Sequence, residues 1–240
     1  MIKKEIEKGA VLQSQLLLQQ AGVSHYCTMR GYCDPGRGVW MPKQVHGVHI
    51  VCVDTETPTN ESQLLQDVEA DAVITAMPGR WIGVRTADCV PVLLYDPVRK
   101  VVAAVHAGWR GTVKHITALT VQEMCSLMGC CAQDVFATIG PSISPESFEV
   151  GEEVAEAFVE AGRSDCVLRE TRCSWGIIKL SKPHIDLWQS NVMDLMEAGL
   201  ELDHIDCTPW CTYAHYQEIF SARREGIGTG RIVSAICLDC

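Results

Sequence analysis

The 240-residue chain has no basic run, no long apolar span and no repeated unit, and each absence narrows the field. Acidic residues outnumber basic ones, 30 to 20, for a formal net charge of −10. A chain of pI about 5.2 without a Lys/Arg cluster is not built to hold a phosphate backbone, which argues against a nucleic-acid partner. It has no stretch of about 18 consecutive apolar residues, so no membrane span is expected. The N-terminus, MIKKEIEKGAVLQSQLLLQQAG, starts basic, but Glu, Gln and Ser break up the apolar core that a secretory signal requires. A cytoplasmic location is therefore expected. With no low-complexity linker either, residues 1–240 read as a single domain, with 1–22 as an N-terminal extension.

Cysteine, by contrast, is abundant. There are thirteen, an odd number, and without a secretory signal they read as free thiols rather than a disulfide framework. Cys52, Cys125 and Cys237 lie in apolar runs and read as small core residues. The C-x-x-C of Cys237 and Cys240 reads as a frayed tail rather than a redox or metal motif. Hydrophobic residues make up 47% of the chain, ample for a core.

The pattern alternates strand clusters with helices. Strands are expected over 25–30, 45–53, 70–76, 90–95, 101–105, 134–139, 202–207, 219–222 and 231–238. Helices are expected over 5–20, 112–128, 152–162 and 183–199, the last with Pro near its start and Gly at its end. A Gly-rich turn is expected over 31–38 and a polar loop over 55–61. The fold class that follows is α/β or α+β: one layered sandwich of mixed sheets flanked by helices.

One stretch concentrates the chemistry: WIGVRTADCVPVLLYDPVRKVVAAVHAGWRGT, residues 81–112. Two Val-rich runs separated by Asp96-Pro97 read as a hairpin of buried strands. A hairpin returns its outer ends to each other, so Cys89 and His106 should lie side by side. A thiol against an imidazole is half a metal site or a nucleophile–base pair. His46, followed by Gly47, is the best third member; His49 should face the opposite way on the same strand. Two His and one Cys suit zinc or copper and leave an open position. Cys211 and His215 are a second thiol–imidazole pair, read as a buried thiol beside a surface histidine.

The motifs QVHG around His46, TADC ending at Cys89 and HAGWRG starting at His106 resemble those of the laccase-domain family, also described as polyphenol-oxidase-like and as purine nucleoside phosphorylases. IGPSIS (139–144), FEVG (148–151), Asp186-Leu187, Cys211-Thr212 and FSARREGIGTGR (220–231) extend the likeness over nearly the whole chain from His25. The resemblance implies a zinc site of His46, Cys89 and His106. It also implies phosphorolysis of adenosine, inosine and methylthioadenosine, with adenosine deamination at the same site and copper-dependent phenol oxidation as an older label.

Phosphate and a purine nucleoside would then be the partners. Arg30, which matches an Arg of the family's early TTR-Gly-Gly element, and Arg110 are candidates for holding the anion, with Arg223 and Arg224 behind them. Asp88 could orient a ligand or act as general base, Trp109 could stack on the purine, and Cys211 could line the pocket. Two departures stand out. The segment between Arg30 and His46 is shortened, and Ser142 stands where many relatives have cysteine. The competing reading is a cysteine hydrolase or amidase with Cys89 as nucleophile and His106 as base.

Overall fold

The computed structural model describes residues 1–33, 38–54, 68–173, 176–207 and 210–240, with side chains for all of these except 171–173 and 176–180. The polar loop expected over 55–61 and the middle of the turn over 31–38 lie outside the described residues. In chain order the elements begin with β1 (Ile2–Ile6), β2 (Gly9–Gln13), α1 (Gln15–Leu18), β3 (Val23–Thr28), β4 (Val39–Trp40), β5 (Ile50–Val53) and β6 (Ala72–Thr75). The middle of the chain holds β7 (Trp81–Thr86), β8 (Val90–Asp96), β9 (Val101–Ala107), α2 (Trp109–Thr112), α3 (Ile116–Met128), β10 (Phe136–Ile139) and α4 (Glu152–Glu160). It closes with β11 (Val167–Cys173), β12 (Gly176–Ile185), α5 (Leu187–Glu197), β13 (Ile205–Cys207), α6 (Ala222–Glu225) and β14 (Ile232–Leu238).

Two mixed six-stranded sheets carry the molecule, in the orders β1-β2-β3-β14-β7-β4 and β13-β10-β8-β9-β6-β5; β11 and β12 form a separate ribbon. Strands β8 and β9 are buried along their whole length, which is why both read as unbroken apolar runs. Their alternate residues serve two cores. Val90, Val92 and Leu94 with Val101, Ala103 and Val105 pack against Ile116, Met124, Phe158 and Leu195 of the helices. Leu93, Tyr95, Val102 and Ala104 pack against Ile82, Val84 and Ile236 of the other sheet. The result is three layers, sheet on sheet on helices, so the expected layered α/β sandwich holds.

Several boundaries differ from the sequence reading. The helix expected over 5–20 is a β1–β2 hairpin followed by the single turn α1. Gly9 has φ 127°, and a Cβ there would meet Tyr32 Cα at 3.0 Å, so a β-branched or helical residue has no place at that corner. Leu12 and Leu17 are both buried, but in different clusters and from different elements, which imitates a helical stripe. The hairpin joins residues 2–13 to a sheet, since β2 pairs with β3. The helix expected over 112–128 starts at Ile116, because His115 takes φ 59° and separates it from α2. The helix expected from 183 starts at Leu187, where Asp186 caps it by accepting the Gln189 N–H at 2.8 Å; Pro183 belongs to β12. The strand expected over 219–222 is not formed; Ser221 caps α6 instead. The strand expected over 202–207 begins only at Ile205.

Candidate metal centre

His46, Cys89 and His106 reach one point from three separate pieces of backbone. Each offers a donor atom, and the three atoms lie within 4.8 Å of one another. The hairpin delivers two of them. Val90 pairs with Ala107 and Pro91 with His106, so Cys89, one residue before β8, falls beside the end of β9. There Gly108 leaves the room they share. A Cβ on it would stand 3.2 Å from Cys89 Sγ and 3.1 Å from His46 Cδ2.

The third donor arrives differently from expectation. Residues 45–53 do not form one strand; only Ile50–Val53 does, and His46 sits in a loop at φ 59°. His49 points elsewhere, with its Nδ1 2.6 Å from the Glu69 carbonyl. What fixes the loop is Asp71, just ahead of β6. Its carboxylate accepts the N–H groups of Val45 (3.3 Å), His46 (2.9 Å) and Gly47 (2.7 Å). The same carboxylate lies 2.7 Å from His106 Nδ1, and both side chains are buried. With Nδ1 engaged, Nε2 is the nitrogen left to face a ligand. The His46 and His106 rings meet nearly edge-on, at 82° and 4.8 Å between centroids.

The electrostatics follow from this packing. Burial pushes the Cys89 thiol up, but hydrogen bonds and charge from His106 and His46 outweigh it and bring the pKa down to about 6. Burial pulls His106 down, yet Asp71 and Cys89 together carry it up to about 9. A readily formed thiolate is the state that binds a metal. Asp71 itself was not singled out in the sequence. The available signal was a lone carboxylate at the head of an apolar strand, Ala70-Asp71-Ala72, where a buried charge must have partners.

The three donors open on a cavity of about 950 Å³ whose walls also include Gln44, Arg85, Thr86, Ile227 and Arg231. The other residues singled out from the sequence are not among its lining. Arg30 is ion-paired with Glu225, donates to the Tyr216 carbonyl at 2.7 Å and lies over the Phe220 ring. Arg110 lies 4.3 Å above the ring of Trp109, and Trp109 packs against the helical core. Arg224 sits over Tyr213 and Tyr216, and Arg223 over Phe148. Cys211 is buried and accepts the Ser144 N–H at 3.4 Å, while His215 approaches its carbonyl rather than its sulfur. Asp88, next to Cys89, has φ 101°, a strained value for a non-glycine residue. Its carboxylate accepts the hydroxyls of Thr212 (2.6 Å) and Ser221 (2.8 Å) and the Arg223 N–H (2.6 Å). Three donors thus converge on the Asp88 carboxylate. The Ser142 hydroxyl is likewise committed, between Trp188 Nε1 and the Gly140 carbonyl.

The sequence profile of a family described as multi-copper polyphenol oxidoreductase laccase matches residues 18–239. The chain belongs to this family. A purine nucleoside phosphorylase of Bacteroides thetaiotaomicron is 42% identical over 200 residues, covering 82% of this chain and 72% of the relative. Adenosine deaminase RL5, from an unknown prokaryotic organism, is 38% identical over 202 residues, covering 82% and 73%. Among solved structures, the Bacillus licheniformis hypothetical protein YfiH superposes with a TM-score of 0.73 at 28% identity, covering 84% of this chain and 74% of that one. YlmD of Geobacillus stearothermophilus reaches 0.76 at 22% identity, covering 92% and 93%, a likeness of fold. The layered architecture is thus the family's own. Of the thirteen cysteines, the twelve with described side chains are all free thiols. Among the described residues no helix is long and apolar enough to cross a membrane.

Proposed function

We propose that this chain is a zinc-dependent purine nucleoside phosphorylase that cleaves adenosine, inosine and methylthioadenosine with phosphate and also deaminates adenosine. The observation that carries the reading is the convergence of His46, Cys89 and His106 on one point beside a cavity of ligand size. The donor set fits the ion: two imidazoles and a thiolate are ligands of borderline metals, and three of them leave one position for water or substrate. When bound, the ion supplies Lewis acidity, polarising the substrate and lowering the pKa of water toward roughly 7.

The chain's own residues set up that chemistry. Asp71 holds the proton of His106 at Nδ1 and keeps Nε2 directed at the site. Through the amides of residues 45–47 it also holds His46 in place. Asp88 ties the turn carrying Cys89 to the segment from Thr212 to Arg223, so the thiol keeps its aim. The cavity volume of about 950 Å³ is of the size that a nucleoside with a co-substrate would need, which supports the phosphorolysis reading. The relatives named for phosphorylase and deaminase activities support both halves of the reading.

A second reading draws on one specific observation. Asp71, His106 and Cys89 are connected as acid, imidazole and thiol, the order found in cysteine hydrolases, and the thiol is already activated. A ligated thiolate cannot attack, so metal content separates the two. The deciding experiment purifies the protein without added metal, measures bound zinc and copper, and incubates it with adenosine with and without phosphate. Adenine and ribose-1-phosphate support phosphorolysis, and inosine supports deamination. Neither product, with metal absent and Cys89 free to alkylate, sinks the first reading and favours the second. Stoichiometric copper with phenol oxidation would favour the oxidase label instead.

A further inference from the structure

The cavity has a charge opposite to that of the chain. The protein carries 30 acidic and 20 basic residues, yet the described residues lining this cavity include Lys43, Arg85 and Arg231 and no carboxylate. The three cations are not equivalent. Lys43 is paired with Glu69 at 2.7 Å. Arg85 and Arg231 have no acidic partner among the described residues. The Arg85 guanidinium makes no hydrogen bond at all to a described residue, although its backbone is clamped on both sides. Gln44, two residues before His46, donates to the Arg85 carbonyl at 2.8 Å and accepts the Arg85 N–H at 2.8 Å. Arg85 is therefore locked to the loop that carries a metal-ligand candidate, while its charge stays unspent.

Arg231 is held from the other side. Its guanidinium donates to the carbonyls of Thr229 (2.6 Å), Gly230 (3.0 Å) and Ile227 (2.9 Å), which orients it without neutralising it. Register places the two arginines close. Val233 pairs with Arg85 and Ile232 with Thr86, so Arg231, one residue ahead of the ladder, is diagonal to Arg85 across adjacent strands. Diagonal neighbours stand about 7–8 Å apart, and like charges at such positions repel. A cavity lined by both of these arginines and by no carboxylate among the described residues is suited to one kind of occupant, an oxyanion with several acceptors.

We propose that Arg85 and Arg231 form an oxyanion subsite beside the His46–Cys89–His106 centre, and that it takes a phosphate group. This deepens the phosphorylase reading and rests on it for the role of the anion as co-substrate. The phosphate could equally be that of a nucleotide held through its ester, and the two sources are separable. Neither Arg30 nor Arg110 lines this cavity.

The test titrates the purified protein, with its metal content measured, against sodium phosphate, adenosine 5′-monophosphate and adenosine at constant ionic strength. Wild type is compared with R85Q, R85K and R99Q. Arg99 is an exposed arginine bonded to the Gly129 carbonyl, and its variant controls for bulk charge. Expected is phosphate binding that weakens roughly 10- to 100-fold in R85Q, recovers in part in R85K and matches wild type in R99Q. In turnover, the KM for phosphate should rise by the same factor. Arg85-dependent binding of the monophosphate without binding of free phosphate would keep the subsite and assign it to a nucleotide. Equal binding in wild type and R85Q, with the fold retained by melting, overturns the proposal. Arg85-dependent phosphate binding in a wild type that forms neither ribose-1-phosphate nor inosine would leave the subsite standing and remove the phosphorylase reading.

Discussion

Asp71 shows how much one side chain can settle. It stands buried at the edge of the site, where its four contacts come from the two histidines' own neighbourhoods. Asp71→Asn keeps the size but swaps an acceptor oxygen for an NH2 among amide donors, costing about 1–3 kcal/mol. It also loosens the His106 tautomer. Zinc affinity should fall roughly 10- to 100-fold, measured by competition with a chromogenic chelator. An unchanged affinity would show that Asp71 only supports the fold. Cys89→Ala should lose bound metal, read by elemental analysis, together with adenosine turnover. A variant that keeps both would place the chemistry elsewhere.

The helical layer is joined to itself by a charge network at the level of elements. Arg163, just after α4, is buried and donates to Asp194 at 2.6 Å and to Glu197 at 2.6 and 2.9 Å, both on α5. His115, between α2 and α3, reaches the same Asp194 at 2.9 Å. Burial raises the pKa of Asp194 against the pull of Arg163 and His115. Arg163→Ala leaves that carboxylate buried with its main partner gone, and breaking such a pair costs about 3–5 kcal/mol. Urea denaturation should show the loss. Because α2 and α3 follow directly from His106 and Gly108, a loosened α4–α5 contact should also lower metal occupancy. A stability change below about 0.5 kcal/mol would mean the network is ornamental.

For the whole molecule, acid is the condition that should test the packing of the two sheets. His25 on β3 is buried between them, and its Nε2 accepts the Ser14 N–H at 2.7 Å. Burial lowers its pKa from 6.5 to about 4, opposed only in part by Asp206. The unfolded chain therefore binds a proton that the folded chain refuses between those values. Stability is complete above about pH 6.5 and falls as the pH drops toward 4, by up to about 3 kcal/mol from this residue. His25→Gln keeps an acceptor for Ser14 and should flatten that part of the profile. Denaturant midpoints for the two proteins at pH 7 and 4.5 supply the check, and parallel profiles would contradict the assignment.

What the residues alone determined was local. Val90 to Tyr95 and Val101 to Val105 are apolar without interruption around Asp96-Pro97, so strand, turn and strand were legible, and with them the meeting of Cys89 and His106. The HAGWRG and TADC motifs carried the resemblance to the family by their residues alone. His46 was found, but not its loop, since its φ of 59° is imposed by a carboxylate 25 residues on. Tertiary structure alone decided which cations line the cavity. Arg30 and Arg110 looked suitable by motif, yet ion pairing and ring stacking draw them away, while Arg85 and Arg231 become neighbours only because β7 and β14, nearly 150 positions apart, pair in one sheet. Distance along the chain hides such pairs, and only the hydrogen-bonded register between strands reveals them.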